Sequence, residues 1–230
     1  MSLSRKLAKF ISNYSDPQSV GSRWRAKRIV RLIAMVEQVH AEHGAVEIVD
    51  IGGMDTYWKI VPPDFFDRYR VRVTVVNVPS SGMPKDYGPF TFVQGDATDL
   101  ATFPDRRFHI AHSNSVVEHV GDWSRMALYA QELARVAPRY YVQTPNYWFP
   151  MEPHCMTPFF QMLPKPMRVW LVLHFQLGHW PRAASVDAAV RQVERARLLD
   201  KRMFQALFPD AVIYTERLLG LPKSFVAVRA

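Results

Sequence analysis

The sequence has little cysteine and no long apolar run. Cys155 is the one cysteine in 230 residues, which excludes a disulfide framework and a cysteine-based zinc site and suits a reducing cytoplasm. The longest apolar run, residues 169–175, is interrupted by His174 and is far shorter than the ~20 residues that span a bilayer. The first residues mix arginine and lysine with apolar side chains, unlike a secretory signal. We therefore expect a cytoplasmic protein.

Acidic side chains are scarce at the N-terminus. Residues 1–31 hold eight basic side chains and one acidic one, Asp16, so they carry +7 of the chain's net charge of +8. A nucleic-acid surface would recur along the chain instead, so nucleic acid is the less favoured partner. Residues 3–11 show helical apolar spacing, which predicts either a helix docked on its own domain or contact with an anionic membrane or acidic substrate. The second alternative would make the protein peripheral at the membrane.

The remaining chain alternates predicted strands and helices. Residues 45–51 are a β-branched run that stops at Gly52 and Gly53, as a buried parallel strand does before a glycine turn. A leading helix is expected at about 17–43, and a longer amphipathic helix at 187–208. The other predicted strands are 71–76, 90–93, 108–112, 139–144, 211–214 and 224–228, with 216–223 as a loop between the last two. Two closing strands without an intervening helix predict a hairpin.

Polar or glycine residues follow these strands in a fixed order. Asp50 precedes the glycine pair, Asn77 follows the second strand, and a Gly-Asp-Ala segment at 95–97 follows the third. This order resembles that of the class I S-adenosylmethionine-dependent methyltransferases, and in particular the type 11-like group. Met54 and Thr56 stand where that family usually carries further glycines.

The resemblance implies a fold, a cofactor and a set of cofactor contacts. The implied fold is α/β and Rossmann-like: a seven-stranded, mostly parallel sheet with a C-terminal antiparallel hairpin and helices on both faces. Residues 1–44 would form a basic helical arm or lid, and residues 45–230 the methyltransferase domain. Asn77 would replace the acidic residue that holds the ribose, and Asp96 would accept from the adenine amino group. The implied contacts to S-adenosylmethionine are Asp50, Gly52, Gly53, Asn77, Asp96, Ala97, Ser113 and Asn114.

The segment after the fifth strand resembles the loop that meets the methyl acceptor in type 11-like enzymes. A substrate-side insertion is expected at about 151–186. On this loop His154 is our candidate general base, because an imidazole pKa of ~6.5 suits proton transfer at neutral pH. Glu152 would orient the ring or contact the acceptor directly. A loop histidine can also be purely structural. The residues expected to contact the acceptor are His119, Asn146 and Tyr147.

No metal site is expected. Small-RNA and ubiquinone-pathway methyltransferases carry a Glu-x-x-Glu-His motif with a divalent metal, whereas Ser115 stands at the position of the first glutamate here. The expected reaction is methyl transfer to an oxygen or nitrogen of a small molecule, such as a sugar-containing, lipid-linked or secondary metabolite. An RNA methyltransferase is one alternative, suggested by the basic arm. A non-catalytic methyltransferase-fold binding protein is another, suggested by the incomplete glycine motif.

Overall fold

The structure is a computed structural model that describes residues 20–79 and 84–230, with side chains in the first helix described from Arg28 onward. The predicted amphipathic segment at 3–11 lies outside the described residues. The helices are α1 (Val20–His43), α2 (Phe65–Arg68), α3 (Trp123–Val136), α4 (Lys165–His174), α5 (Val186–Glu194) and α6 (Lys201–Leu207). None of the described helices is long and apolar enough to cross a membrane.

Nine strands are described, seven of which form the main sheet. They are β1 (Val46–Ile51), β2 (Val71–Asn77), β3 (Phe90–Gln94), β4 (Ile110–Asn114), β5 (Arg139–Pro145), β6 (Met151–Glu152), β7 (Thr157–Pro158), β8 (Val212–Leu218) and β9 (Leu221–Arg229). The sheet order is β3-β2-β1-β4-β5-β9-β8. Strands β1 to β5 pair in parallel, and β9 runs antiparallel to both β5 and β8. This topology confirms the predicted sheet and its closing hairpin.

Helices cover both faces of the sheet because neighbouring residues of a strand point to opposite sides. In β1, Ile48 and Val49 are both fully buried. Ile48 belongs to the core under α1, α2 and the short 3-10 turn at 55–60. Val49 belongs to the core under α3 and α6. The strand order reverses between β1 and β4, and such a point is where ligands bind in open α/β sheets.

The predicted long helix at 187–208 is wrong, because α5 ends at Glu194 and α6 begins at Lys201. The connecting backbone pairs with two other loops instead of continuing a helix. The amide of Arg197 donates to the carbonyl of Glu118 at 2.7 Å, and the carbonyl of Leu199 accepts from the amide of Tyr147 at 2.9 Å. Asp200 then caps α6 by accepting from the amide of Met203.

The last hairpin and β4 also differ from their predicted bounds. The predicted loop at 216–223 is mostly strand, since β8 and β9 continue to a tight turn at Leu219 and Gly220. Both turn residues have positive φ, 51° and 81°, the conformation that suits a two-residue hairpin and that glycine adopts without steric cost. β4 spans 110–114 rather than 108–112, so Ser113 and Asn114 lie within the strand.

The segment at 151–186 contains β6, β7 and α4. It has a small core of its own with α5, built around Cys155, Phe160 and Val172. The division into an arm at 1–44 and a domain at 45–230 stays a prediction.

Candidate active site

The carboxyl ends of β1, β2 and β3 bring polar groups to one edge of the sheet. We call Gly53, Asn77 and Asp96 the cofactor edge. Because β2 pairs with both β1 and β3 in parallel, the residues that follow the three strands are neighbours. The side-chain Nδ2 of Asn77 donates to the carbonyl of Gly53 at 2.7 Å. None of the described residues donates to its Oδ1, which can therefore accept from a ligand hydroxyl.

Glycine is required at both positions of the turn after β1. A Cβ on Gly52, where φ is +68°, would stand 2.7 Å from Cγ2 of Val116. A Cβ on Gly53 would stand 2.0 Å from Oδ2 of Asp50. Real Cβ atoms do not approach other heavy atoms this closely, since interiors are close-packed. A substitution at Gly52 would therefore disturb packing against Val116 as well as any bound ligand.

Asp50 lies beneath this turn and is fully buried. Its Oδ2 accepts from the indole nitrogen of Trp58 at 2.8 Å, and its Oδ1 lies 2.7 Å from Nδ1 of His112. Both carboxylate oxygens thus have protein partners, and the structure does not bring Asp50 to the surface. No sequence pattern indicated this trio, because its three members come from β1, the turn at 55–60 and β4.

Asp96 is held rigidly at the end of β3. Its Oδ1 accepts from the amide and hydroxyl of Thr98, both at 2.8 Å, and its Oδ2 accepts from Arg125 at 2.7 Å. The bond from the Thr98 amide, with that hydroxyl and with Arg125, lowers the pKa of Asp96 below its ordinary value. The side chain remains about half exposed, so a ligand can reach an ionised carboxylate. Ala97 packs against the core under α3.

Ser113 and Asn114 at the end of β4 have protein partners. Ser113 is fully buried and donates to the carbonyl of Ile51 at 2.9 Å. Asn114 accepts from Arg28 of α1 at 2.6 Å. Arg28 also makes a bidentate ion pair with Glu216, with both contacts at 2.7 Å. Burial opposes the charge of Arg28, but Glu216 outweighs it, and the pKa of Arg28 is raised.

Sequence reasoning missed Arg28. The signal was a basic residue on the buried stripe of α1, one turn before Leu32. A charged residue at such a position is rarely buried without a partner. Here its partners lie on β4 and β8, so Arg28 fixes α1 to the carboxyl end of the sheet.

A second group of polar residues lies beyond β4 and β5. We call Glu118, His119, Glu152 and His154 the histidine centre. The first two belong to the short 3-10 turn that follows β4, and the others to the β6–β7 hairpin that follows β5. The Nε2 atoms of His119 and His154 lie 3.1 Å apart. The structure thus brings together three of the residues expected on the acceptor side, His119, Glu152 and His154, and adds Glu118.

Hydrogen bonds fix the tautomers of both imidazoles. Nδ1 of His119 lies 2.7 Å from the backbone carbonyl of Arg195. A carbonyl only accepts, so this Nδ1 carries the proton. Nδ1 of His154 lies 2.7 Å from Oε1 of Glu152 and donates to that carboxylate. When each ring is neutral, its Nε2 therefore presents a lone pair.

Burial and neighbouring charges shift the pKa values of the four residues of the histidine centre in different directions. Burial raises the pKa of the Glu118 carboxyl to about 7, and its Oε2 accepts from the hydroxyl of Thr144 at 3.0 Å. His119 keeps an exposed surface, but partial desolvation of its ring lowers its pKa. For His154 burial acts in the same direction, but the hydrogen bond and charge of Glu152 outweigh it and raise the pKa. Burial opposes ionisation of Glu152 as well, but its contacts with His154 outweigh burial and lower its pKa.

A cavity of about 440 Å³ adjoins the histidine centre through Glu152. Tyr147, expected to contact the acceptor, lines it. Asn146 does not, because its amide is used within the fold: Nδ2 donates to the carbonyl of Pro222, and Oδ1 accepts from the amide of Trp148. The cavity is lined by Tyr147, Glu152, Phe160, Gln161, Leu163, Pro164, Lys165, Arg168, Trp180, Val193, Glu194, Ala196, Arg197 and Leu198.

Residues 67–139 match the family model described as a methyltransferase domain. A solved S-adenosylmethionine-dependent methyltransferase from Archaeoglobus fulgidus is similar with a TM-score of 0.51 and 12% identity, covering 89% of this chain and 92% of that one. One from Methanosarcina mazei has a TM-score of 0.48 and 14% identity, covering 80% and 91%. No curated protein matches the sequence. At this identity the Archaeoglobus structure supports the fold alone.

Proposed function

Because this chain is an S-adenosylmethionine-dependent methyltransferase, we propose that it methylates an oxygen or nitrogen of a small-molecule acceptor. The candidates are sugar-containing, lipid-linked and secondary metabolites. The observation that carries this proposal is the cavity of about 440 Å³ beside the histidine centre. Its volume lies in the range of about 300–1,000 Å³ that is usual for small-molecule sites.

The cofactor edge fits S-adenosylmethionine. Asn77 offers an accepting Oδ1 for the ribose hydroxyls, and Asp96 offers a half-exposed, ionised carboxylate for the adenine amino group. The missing side chain of Gly53 makes room for the carboxylate of Asp50, so this glycine shapes the turn from within. When bound, the cofactor supplies an electrophilic methyl group. Asp50 and Ser113 would support this edge from below rather than contact the ligand.

The acceptor would enter the cavity. Phe160, Trp180 and Val193 give it an apolar lining, and two buried polar atoms would orient the acceptor: Nε of Arg168 and Oε1 of Gln161. Neither atom has a hydrogen-bond partner within the described part of the chain. Leaving such atoms unpaired costs about 1–3 kcal/mol each, so a polar acceptor gains by pairing with them.

His154 would receive the proton that the acceptor must lose. Its Nε2 presents a lone pair beside the cavity wall formed by Glu152, and Glu152 both fixes the ring and stabilises the imidazolium that forms. An acceptor hydroxyl would give its proton to this Nε2 as the new oxygen–methyl bond forms and the methyl–sulfur bond of the cofactor breaks. An ammonium acceptor would give up its proton first, because only the free amine has the lone pair that attacks the methyl group. A positioned base of this kind typically contributes about 10²–10⁴-fold to the rate.

One arginine of the basic arm favours a small molecule over RNA. Arg28 is buried against Glu216, so its guanidinium group faces the protein itself. Arg31 is exposed but stacks on the ring of Tyr214, 4.2 Å from its centroid. An RNA-binding arm would present its charges outward, toward phosphates.

Release of S-adenosylhomocysteine from the purified protein tests the proposal. The protein is incubated with S-adenosylmethionine and, separately, with a low-molecular-weight metabolite extract, a lipid extract and total RNA. We expect release with one of the first two pools and its loss in His154→Ala. Release with RNA alone would favour the RNA alternative. Cofactor binding without release from any pool would favour the non-catalytic alternative.

A further inference from the structure

The two histidines of the histidine centre face each other in an arrangement that neutral imidazoles alone do not favour. Each Nδ1 is occupied as a donor, His119 to the carbonyl of Arg195 and His154 to Glu152. The two Nε2 lone pairs are left 3.1 Å apart. Two lone pairs at this distance repel each other unless a proton or a cation lies between them.

We propose that Glu118, His119 and His154 bind one divalent transition-metal ion. Their ligating atoms all lie within 4.8 Å of one another. Two imidazole nitrogens about 2.1 Å from a common ion stand about 3.0 Å apart at an octahedral angle and about 3.4 Å apart at a tetrahedral one. The observed separation of 3.1 Å lies between these values, so the spacing of the two nitrogens suits a common ion. The carboxylate oxygen of Glu118 lies within 4.8 Å of both nitrogens and would move toward the ion to complete the site.

Glu118 supplies an oxygen that has no other use within the described residues. Its side chain is 1% exposed. Oε2 accepts from Thr144, whereas Oε1 is buried without a hydrogen-bond partner among the described residues. A buried carboxylate oxygen in this situation is unfavourable. A cation beside the two imidazoles would give Oε1 its partner.

The surroundings of the two imidazoles have the form that metal-ligating histidines usually have. Such histidines donate their second ring N–H to a carboxylate or a backbone carbonyl, which fixes the ring and raises its basicity. Glu152 provides the carboxylate for His154, and Arg195 the carbonyl for His119. Glu152 is itself fixed, because its Oε2 accepts from the amides of His154 and Cys155.

The donor set selects the class of ion. Two imidazole nitrogens and one carboxylate oxygen suit Zn²⁺, Co²⁺, Fe²⁺ or Mn²⁺, whereas Mg²⁺ and Ca²⁺ prefer all-oxygen sites. Three protein ligands leave a position open, as in catalytic zinc sites. This proposal departs from the sequence-based expectation of no metal. That expectation relied on Ser115, which is not part of the group and donates to Gln143 instead.

The consequence for catalysis rests on the proposed function. An acceptor oxygen in the open position would lose its proton to solvent water more easily, because the ion lowers the pKa of a bound O–H group. With the ion bound, Nε2 of His154 is a ligand and not the base. Metal binding itself is independent of methyl transfer.

Titration of the metal-free, untagged full chain with Co²⁺, followed by visible absorption, and with Zn²⁺, followed by competition, tests the proposal. We expect one equivalent to bind. His119→Ala, His154→Ala and Glu118→Gln should each weaken binding at least tenfold. His119 is exposed, so its variant should keep the native circular dichroism. His174→Ala is the matched control and should change nothing, because its Nδ1 also bonds a backbone carbonyl, that of Trp170, away from the centre.

Equal affinity in the wild type and in His119→Ala would overturn the proposal. So would a nuclear magnetic resonance titration, run with one equivalent of Zn²⁺ present, in which His119 and His154 still share a proton. Turnover that survives chelation yet disappears in His154→Ala would likewise contradict the metal while leaving the proposed methyl transfer and its base in place.

Discussion

The cofactor edge and the histidine centre both lie at the carboxyl end of the sheet, yet their polar groups are satisfied in different ways. On the cofactor edge, the side chains are held by residues near them in the fold's regular framework, as Asp96 is by Thr98 and Arg125. At the histidine centre, three separate loops meet, and Oε1 of Glu118 is buried without a partner among the described residues. In the adjoining cavity the same is true of polar atoms of Gln161 and Arg168.

The difference indicates what each region is built to do. A rigid, internally bonded edge can bind one fixed ligand repeatedly with little reorganisation. Buried polar atoms without partners are costly in the free protein, and beside a cavity a substrate or ion can pair with them. The cofactor edge is therefore a preformed binding surface, whereas the histidine centre is a site that is completed when a ligand binds.

The largest expected effect concerns the residue that ties α1 to the sheet between the two regions. Arg28→Ala leaves Glu216 largely buried and uncompensated, and breaking such a pair typically costs about 3–5 kcal/mol. Urea unfolding should show a loss of this size. Arg191→Ala, which removes an exposed pair with Asp187, should cost less than about 1 kcal/mol. Similar losses in the two variants would contradict the anchoring role.

The next prediction distinguishes the role of the histidine centre in turnover from the role of the cofactor edge in cofactor binding. His154→Ala should lower turnover by about 10²-fold or more, the usual worth of a group that activates the acceptor. Its affinity for S-adenosylmethionine should remain near that of the wild type. His174→Ala serves as the control. Normal turnover on the true acceptor in His154→Ala would remove this residue from catalysis.

A smaller effect is expected at the cofactor edge. Asp96→Ala removes a charged acceptor worth about 1.5–3 kcal/mol, which corresponds to at least a tenfold loss of cofactor affinity. Arg125→Ala removes the ion pair but keeps the carboxylate, so its effect should be clearly weaker. If the two variants lose equal affinity, Asp96 acts by holding Arg125 and does not contact the adenine.

The smallest effect is expected outside both regions. Deletion of residues 1–12 should lower binding to anionic liposomes or a polyanion without unfolding the domain, because that segment carries basic side chains between apolar ones. Co-sedimentation of the protein with anionic vesicles measures this binding. Undiminished binding after the deletion would favour the alternative in which the segment docks on its own domain.

The sheet and the ends of its strands were predictable from the sequence because the signals for them are local. The β-branched runs that stop at Gly52 and at Asn77 mark strand ends, and the topology inferred from them is confirmed. The enzyme class and cofactor were implied by the family resemblance, and the methyltransferase-domain match agrees with them. Asp122, directly before α3, caps that helix by accepting from the amide of Arg125. Each of these signals spans only a few residues.

The histidine centre was only partly predictable because its contacts span long stretches of sequence. His154 could be singled out on its loop, but its partner His119 lies 35 residues away. The carbonyl that orients His119 belongs to Arg195, in the segment that was predicted to be helical. Helical periodicity does not reveal that a backbone carbonyl is used by another loop, so tertiary pairing overrode the local pattern there.

Calorimetric titration of the wild-type protein with S-adenosylmethionine tests the central claim most directly, with His154→Ala measured beside it. We expect one saturating site in both proteins with nearly equal affinity, because the cofactor edge and the histidine centre are separate. The absence of binding to the wild type at millimolar cofactor would contradict the account. It would mean that the incomplete glycine motif no longer supports a methyltransferase.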